Sequence, residues 1–317
     1  MTAANLAQWP DGAAAFGRLG RRLMEIILHL GAHRTGTTTF QHYLRKQQGW
    51  LAGQGVAVWL PPFTRNSVLP GLFRETGIMG KNAPQRAAGR IGLLLHRVEA
   101  GGAARLIVSD ENLMGSCAEN LREGRLYPAV GSRITRVAQG MRGQVRKVLL
   151  TIRAQDDWWP SAASLAVSRG HAVPSARRLS EIVSIQRGWR DVITDLARTI
   201  PQAEIRVLPF EEAANCPDRL LQAAIGGAVP AMHAPLWHNR SVSAADLRVL
   251  LTEQGRDPAQ IPDRQGRWQP FTPAQRAHLH EAYLDDLQWL QAGADGLARL
   301  TGNIDGTSEA QTPGRTG

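Results

Sequence analysis

Cysteine is scarce in this sequence. The 317-residue chain holds two, Cys117 and Cys216, too few and too far apart in sequence for a disulfide framework or a zinc site, so a reducing cytosol is the simplest setting. Lysine is scarce too: Lys46, Lys81 and Lys147 are the only three, and 34 of the 37 basic residues are arginine. Such a bias follows genome composition as readily as function. The net charge of +10 comes without a long Lys/Arg run or an aromatic-basic repeat, so no specific nucleic-acid partner is expected, although a positive surface favours anionic ligands. No apolar stretch reaches the length needed to cross a bilayer. Residues 1–22 lack the continuous apolar core of a secretory signal, and Arg21-Arg22 precede a strand rather than such a core. The nine histidines show no H-E-x-x-H or similar metal spacing, and no internal repeat is present.

What is there suits one α/β domain. The hydrophobic fraction of 43% and charged fraction of 20% are ordinary for a globular protein, and the length serves one substantial core better than two. Apolar runs at 26–30, 56–60, 105–109, 147–152 and 204–208, four clear and one weaker, alternate with helical patterns. This predicts a parallel sheet of about five strands covered on both faces, with helical additions at the C-terminal end. Helices are expected over 37–48, 84–100, 128–140, 182–200, 244–253 and 273–300. Another is expected to reach about residue 169, with a fresh start or a kink at Pro160, and another to reach about residue 225. Residues 24–300 read as a single domain, 1–23 as an extension without fold or a misplaced start, and 301–317 as a disordered tail. The segment 63–82 has no clear period and is either a wall of a substrate pocket or a plain surface connection.

The stretch that organises the rest is IILHLGAHRTGTTTFQ, residues 26–41. An apolar strand runs into Gly31, the chain turns to Gly36, and Thr37, Thr38 and Thr39 open a helix. The first N–H groups of a helix have no internal partner and carry the positive end of its dipole, so a glycine-bracketed loop at that point cradles a phosphate-sized anion. The threonine hydroxyls add donors, and Arg34 adds a permanent charge in a forked geometry that matches an oxyanion. Gly31 and Gly36 have the spacing of the nucleotide triphosphate loop, but Thr37 stands where that loop has lysine, and the basic residue lies inside the loop at Arg34.

The string His33-Arg34-Thr35-Gly36-Thr37-Thr38, directly after an apolar strand, resembles the 5′-phosphosulfate loop of sulfotransferases that use 3′-phosphoadenosine 5′-phosphosulfate (PAPS). That loop is usually written as K or R, then S or T, then G-T-T. Arg153 and Ser161, eight residues apart after the run 147–152, are similar to the arginine and serine with which that family holds the 3′-phosphate. S-D-E-N-L, Q-D-D-W, V-L-P-F-E and H-N-R-S look like the bacterial sulfotransferase-like group, and the resemblance runs from about residue 25 to 290.

The resemblance implies a P-loop-type fold and transfer of a sulfuryl group from PAPS, leaving 3′,5′-adenosine bisphosphate (PAP), with no metal required. The acceptor would be a hydroxyl or amine on a carbohydrate, a lipid-linked glycan or a small metabolite. It implies a cofactor site of His33, Arg34, Thr35, Gly36, Thr37, Thr38, Arg153 and Ser161, with Asn239, Arg240 and Ser241 either closing over the cofactor or forming an ordinary polar loop. Arg34 would compensate charge on the leaving phosphate, although many members carry lysine there and arginine cannot give up its proton. Glu111 is the candidate general base, with Asp110 or a histidine as rival, and either carboxylate alternatively caps the following helix. Arg153 alternatively pairs with Asp156 or Asp157, and His33 alternatively packs on neighbouring backbone. Two other functions stay open: a P-loop nucleotide kinase, which asks for lysine at Thr37 and a magnesium-holding aspartate, and a non-catalytic nucleotide- or polyanion-binding protein.

Overall fold

In the computed structural model, which describes residues 24–73, 82–213, 216–231 and 242–302, the apolar runs stand side by side in one sheet. Residues 1–23, residues 303–317 of the expected tail, and Asn239, Arg240 and Ser241 lie outside the described residues. β1 (Glu25–His29) leads to α1 (Thr37–Lys46) and α2 (Gln48–Gly53); β2 (Val56–Trp59) leads to a wide turn at Thr64–Val68 and then α3 (Ala83–Ala100). β3 (Arg105–Ser109) passes through the single turn Glu111–Leu113 to α4 (Cys117–Glu123) and α5 (Val130–Gly140). β4 (Val145–Ile152) is followed by α6 (Gln155–Ser168), α7 (Ala176–Ser184) and α8 (Trp189–Thr199). β5 (Glu204–Pro209), α9 (Phe210–Ala213), α10 (Pro217–Ile225), α11 (Ala244–Glu253), α12 (Pro273–Gln291) and β6 (Arg299–Leu300) complete the order.

The sheet is parallel throughout, in the order β2-β3-β1-β4-β5-β6. β1 occupies the centre because it is apolar on both faces: Ile26 and Leu28 join the larger core with Val108 and Val148, and Ile27 joins a smaller one with Phe40, Leu44 and Leu208. Leu28 stands opposite Val108 on β3 and Val148 on β4. The chain builds β2 and β3 on one side of β1, then crosses to the other side for β4 and β5. Open α/β sheets bind ligands beyond the carboxyl ends of their strands at such a reversal, and the loops after β1, β3 and β4 meet there.

Four elements differ from the sequence reading. The helix expected over 182–200 is two helices, because Gly188 is extended (φ −99°, ψ −170°) and starts α8 afresh. A Cβ at Gly188 would lie 2.6 Å from Asp286 Oδ2, so only glycine lets that carboxylate approach. The helix expected to run from 273 to 300 stops at Gln291, where Ala294 and Asp295 turn left-handed (φ 50° and 53°), and the freed chain adds a sixth strand beside β5. α4 was not expected at all; Ser116 starts it by accepting from Glu119 N at 3.1 Å. Pro160 neither starts nor breaks a helix, since α6 runs through it. Lacking an N–H, Pro160 leaves the Asp156 carbonyl without its helical donor, and Gln269 Nε2 takes that place at 3.3 Å. No helix among the described residues is long and apolar enough to cross a membrane.

Candidate anion-binding site

The loop after β1 keeps to the sheet before it turns. Leu30 N and Ala32 N bond to the Leu149 and Thr151 carbonyls of β4 at 3.0 and 3.1 Å. Three residues then take left-handed backbone, Gly31 (φ 28°), Arg34 (φ 66°) and Gly36 (φ 78°). Gly36 stands at the start of α1, where no side chain caps the helix and no acidic residue occupies the first turn. The positive end of the α1 dipole therefore faces the concavity of the loop.

An aromatic platform holds this loop from beneath. The His33 N–H donates to Tyr127 Oη at 2.8 Å, and Trp158 Nε1 donates to the His33 carbonyl at 2.7 Å. Tyr127, Trp158 and Trp189 are fully buried, with ring centroids 5.9 to 6.2 Å apart. Asn112 Oδ1 can only accept, so His33 Nε2 carries the ring hydrogen and donates to it at 3.2 Å, which leaves Nδ1 to accept from the Tyr127 hydroxyl at 3.0 Å. Burial lowers the pKa of His33, in keeping with a neutral ring. His33 thus serves the loop through main chain and side chain alike, its ring held by the side chains of Tyr127 and Asn112.

The two anion-binding elements read from the sequence interlock. Arg34 Nε donates to Ser161 Oγ at 2.8 Å, and Arg153 Nη1 donates to the Arg34 carbonyl at 3.2 Å. The Arg153 guanidinium is buried, lies 4.8 Å over the Phe210 ring, and leaves its Nε without a partner among the described residues. The ion pair with Asp157 is present too, at 3.4 Å, but Asp157 is half exposed and such a pair contributes little. Burial lowers the pKa of Arg34; Cys117 opposes this, while the positive fields of Arg153, Arg169 and Arg267 add to it. A cluster of like charges around a half-buried cation is relieved by an anion.

The carboxylates beyond β3 separate by environment. Asp110 is fully buried and accepts from Thr64 Oγ1 at 2.5 Å, Arg65 Nη2 at 3.2 Å and Asn112 N at 3.0 Å. It ties the wide turn at Thr64–Val68 to the end of β3. Glu111 keeps some exposure and accepts from Arg65 Nη2 at 2.8 Å and Gln41 Nε2 at 3.1 Å. Burial pushes its carboxyl up, but the neighbouring His33, a backbone N–H, the charge of Arg65 and the Gln41 hydrogen bond more than offset this and hold it below the ordinary range. Glu111 is therefore ionised at neutral pH and is the carboxylate an incoming group would reach.

His33, Arg34, Thr35, Gly36, Thr37 and Thr38 share one loop, Arg153 and Ser161 lie against it, and Glu111 meets α1 through Gln41. Asn239 and Arg240 fall outside the described residues. Sequence reading missed Arg65, Tyr127, Trp158 and Gln41 as parts of this region. Only the adjacent tryptophans after β4 carried a signal, since two large apolar residues just after a ligand-bearing strand end mark a platform. No protein-family model matches the chain, and no curated protein or solved structure does.

Proposed function

We propose that the chain is a sulfotransferase that moves a sulfuryl group from PAPS to a hydroxyl or amine on a glycan or small-molecule acceptor. The observation that carries this reading is the interlock of Arg34 with Ser161 and of Arg153 with the Arg34 carbonyl. It brings two cationic groups, a hydroxyl and a helix N-terminus together, which suits a ligand with two separate anionic ends. In this scheme the loop N–H groups and Arg34 hold the phosphosulfate, and Arg153 and Ser161 hold the 3′-phosphate. Ser161 Oγ accepts from Arg34 Nε, which sets the hydroxyl beside that guanidinium.

Glu111 takes the acceptor's proton as the acceptor oxygen or nitrogen attacks sulfur in line. The new bond to sulfur forms as the bridging sulfur–oxygen bond breaks, and the electron pair stays on the departing 5′-phosphate. Arg34 compensates that charge without giving up a proton.

The test is calorimetric binding of PAP against magnesium ATP on wild type and Arg153→Ala. Selective binding of PAP, weakened about 10–100-fold by the loss of a charge-assisted contact, is the expected result. Preference for magnesium ATP would favour the kinase reading, and binding of neither would sink the donor site. Glu111→Gln should lower kcat by about 10²–10⁴-fold with PAP affinity unchanged; an equal loss of affinity would make Glu111 a structural carboxylate.

A further inference from the structure

Three main-chain groups of the turn that carries Arg153, residues 153–157, are satisfied from outside it. The Arg153 carbonyl accepts from Trp189 Nε1 at 2.8 Å, and the Ala154 N–H donates to Glu211 Oε1 at 3.3 Å. The Asp156 carbonyl, left open by Pro160, accepts from Gln269 Nε2. Every one of these partners leads to the C-terminal third of the chain. Tyr283 Oη donates to the second oxygen of Glu211 at 2.9 Å, so that carboxylate is pinned at both ends. Asp286 accepts from the Trp189 and Arg190 N–H groups at 2.7 and 3.1 Å and thereby fixes the indole that grips Arg153. His280 and Arg276 contact the two oxygens of the Asp156 side chain at 3.2 and 3.5 Å. Arg276, His280 and Tyr283 recur at helical spacing on α12, with Asp286 three residues further, so one face of a single helix meets the turn.

We infer that α12 is a brace that sets where the Arg153 guanidinium stands, with Tyr283 and Asp286 as positioning residues acting through Glu211 and Trp189. Glu211 follows Phe210, whose ring lies under that guanidinium, so a shift of Glu211 moves both the Ala154 amide and the platform of Arg153. The Tyr283 phenol is a standing donor, because burial and then the Glu211 carboxylate push its pKa far above neutral. The consequence for ligand binding rests on the donor site proposed above, since Arg153 would act on the phosphate of that donor.

Tyr283→Phe removes one oxygen and keeps the ring, so the brace is cut without a cavity. The experiment combines amide hydrogen exchange over residues 153–157 with calorimetry of PAP on wild type, Tyr283→Phe, Arg153→Ala and the double variant. In Tyr283→Phe the Ala154 amide should exchange about tenfold faster at an unchanged unfolding midpoint. PAP should bind about 5–10-fold more weakly, yet the same substitution in the Arg153→Ala background should change affinity less than about twofold. In turnover the donor KM should rise while the acceptor KM and kcat stay near wild type. Unchanged exchange at Ala154, or an equal loss of affinity in both backgrounds, overturns the brace. Should wild type bind no PAP, the donor site fails and the exchange result alone decides for or against the brace.

Discussion

Gly31→Ala is expected to abolish binding of PAP at the proposed donor site and to cost about 2–5 kcal/mol of stability, from left-handed backbone and overpacking together. Gly31 has φ 28°, where an L-residue with a Cβ is strained, and that Cβ would stand 2.7 Å from both His29 Nε2 and Thr37 Cγ2. Neither neighbour has room to give. His29 Nδ1 is tied to Ser109 Oγ at 2.7 Å, its ring packs edge-on to Phe40 at 4.5 Å, and it is fully buried. Burial brings the pKa of His29 down to about 4, so the ring does not escape by ionising toward solvent. Thr37 is the first residue of α1, so moving it moves the helix end that faces the loop. The loop itself must yield, and its N–H groups then no longer converge. Urea denaturation and calorimetry on the variant check both parts; wild-type stability with wild-type binding would show that the close approach at Gly31 does not matter.

The loop was legible because its pieces are contiguous: an apolar strand, glycines at 31 and 36, an arginine between them and a run of threonines. β1, β3 and β4 were legible for a related reason, since strands buried on both faces carry unbroken apolar runs, Ile26 to Leu28, Leu106 to Val108 and Val148 to Leu150. What escaped was decided by distant partners. The period of 182–200 runs on through Gly188, and the interruption there is made by Asp286, almost a hundred residues away. Arg65 lies in a segment without period and acquires its role only when the wide turn docks on Asp110 and Glu111. Tyr127 sits at the end of a stretch that carries no ligand motif, and reaches His33 only once α4 packs on α6 and brings the loop after it to that residue. The chain announces groups that meet an anion, because such chemistry needs particular residues at short spacing. The groups that hold those residues in place are ordinary residues recruited from afar.

Asp286 shows how strongly such a distant residue acts, and its effect carries a pH signature. Asp286→Ala is expected to cost about 3–4 kcal/mol at pH 4.5, because the buried first N–H groups of α8, those of Trp189 and Arg190, lose the only cap they have among the described residues. At pH 7.5 the cost should be smaller. Burial raises the pKa of Asp286 from 3.8 to about 6; the two N–H bonds oppose this, and Asp191 and Asp285 add to it. A folded-state pKa raised above the unfolded one gives stability that is full below 3.8 and is lost as the pH climbs through 6. A shift of about two units corresponds to roughly 3 kcal/mol, so the Asp286 contribution falls by up to that much from below pH 3.8 to above 6, most of it between pH 4.5 and 7.5, and the alanine variant does not share that loss. Asp286→Asn separates the two contributions. It keeps one acceptor for the helix end and cannot ionise, so its stability difference from Asp286→Ala should be nearly constant between pH 4.5 and 7.5, the buried His29 and His33 acting equally in both variants. Urea denaturation at the two pH values is the measurement. An equal cost of Asp286→Ala at both would mean that Asp286 does not titrate in this interval, and no cost at either would mean that α8 holds Trp189, and through it Arg153, without this carboxylate.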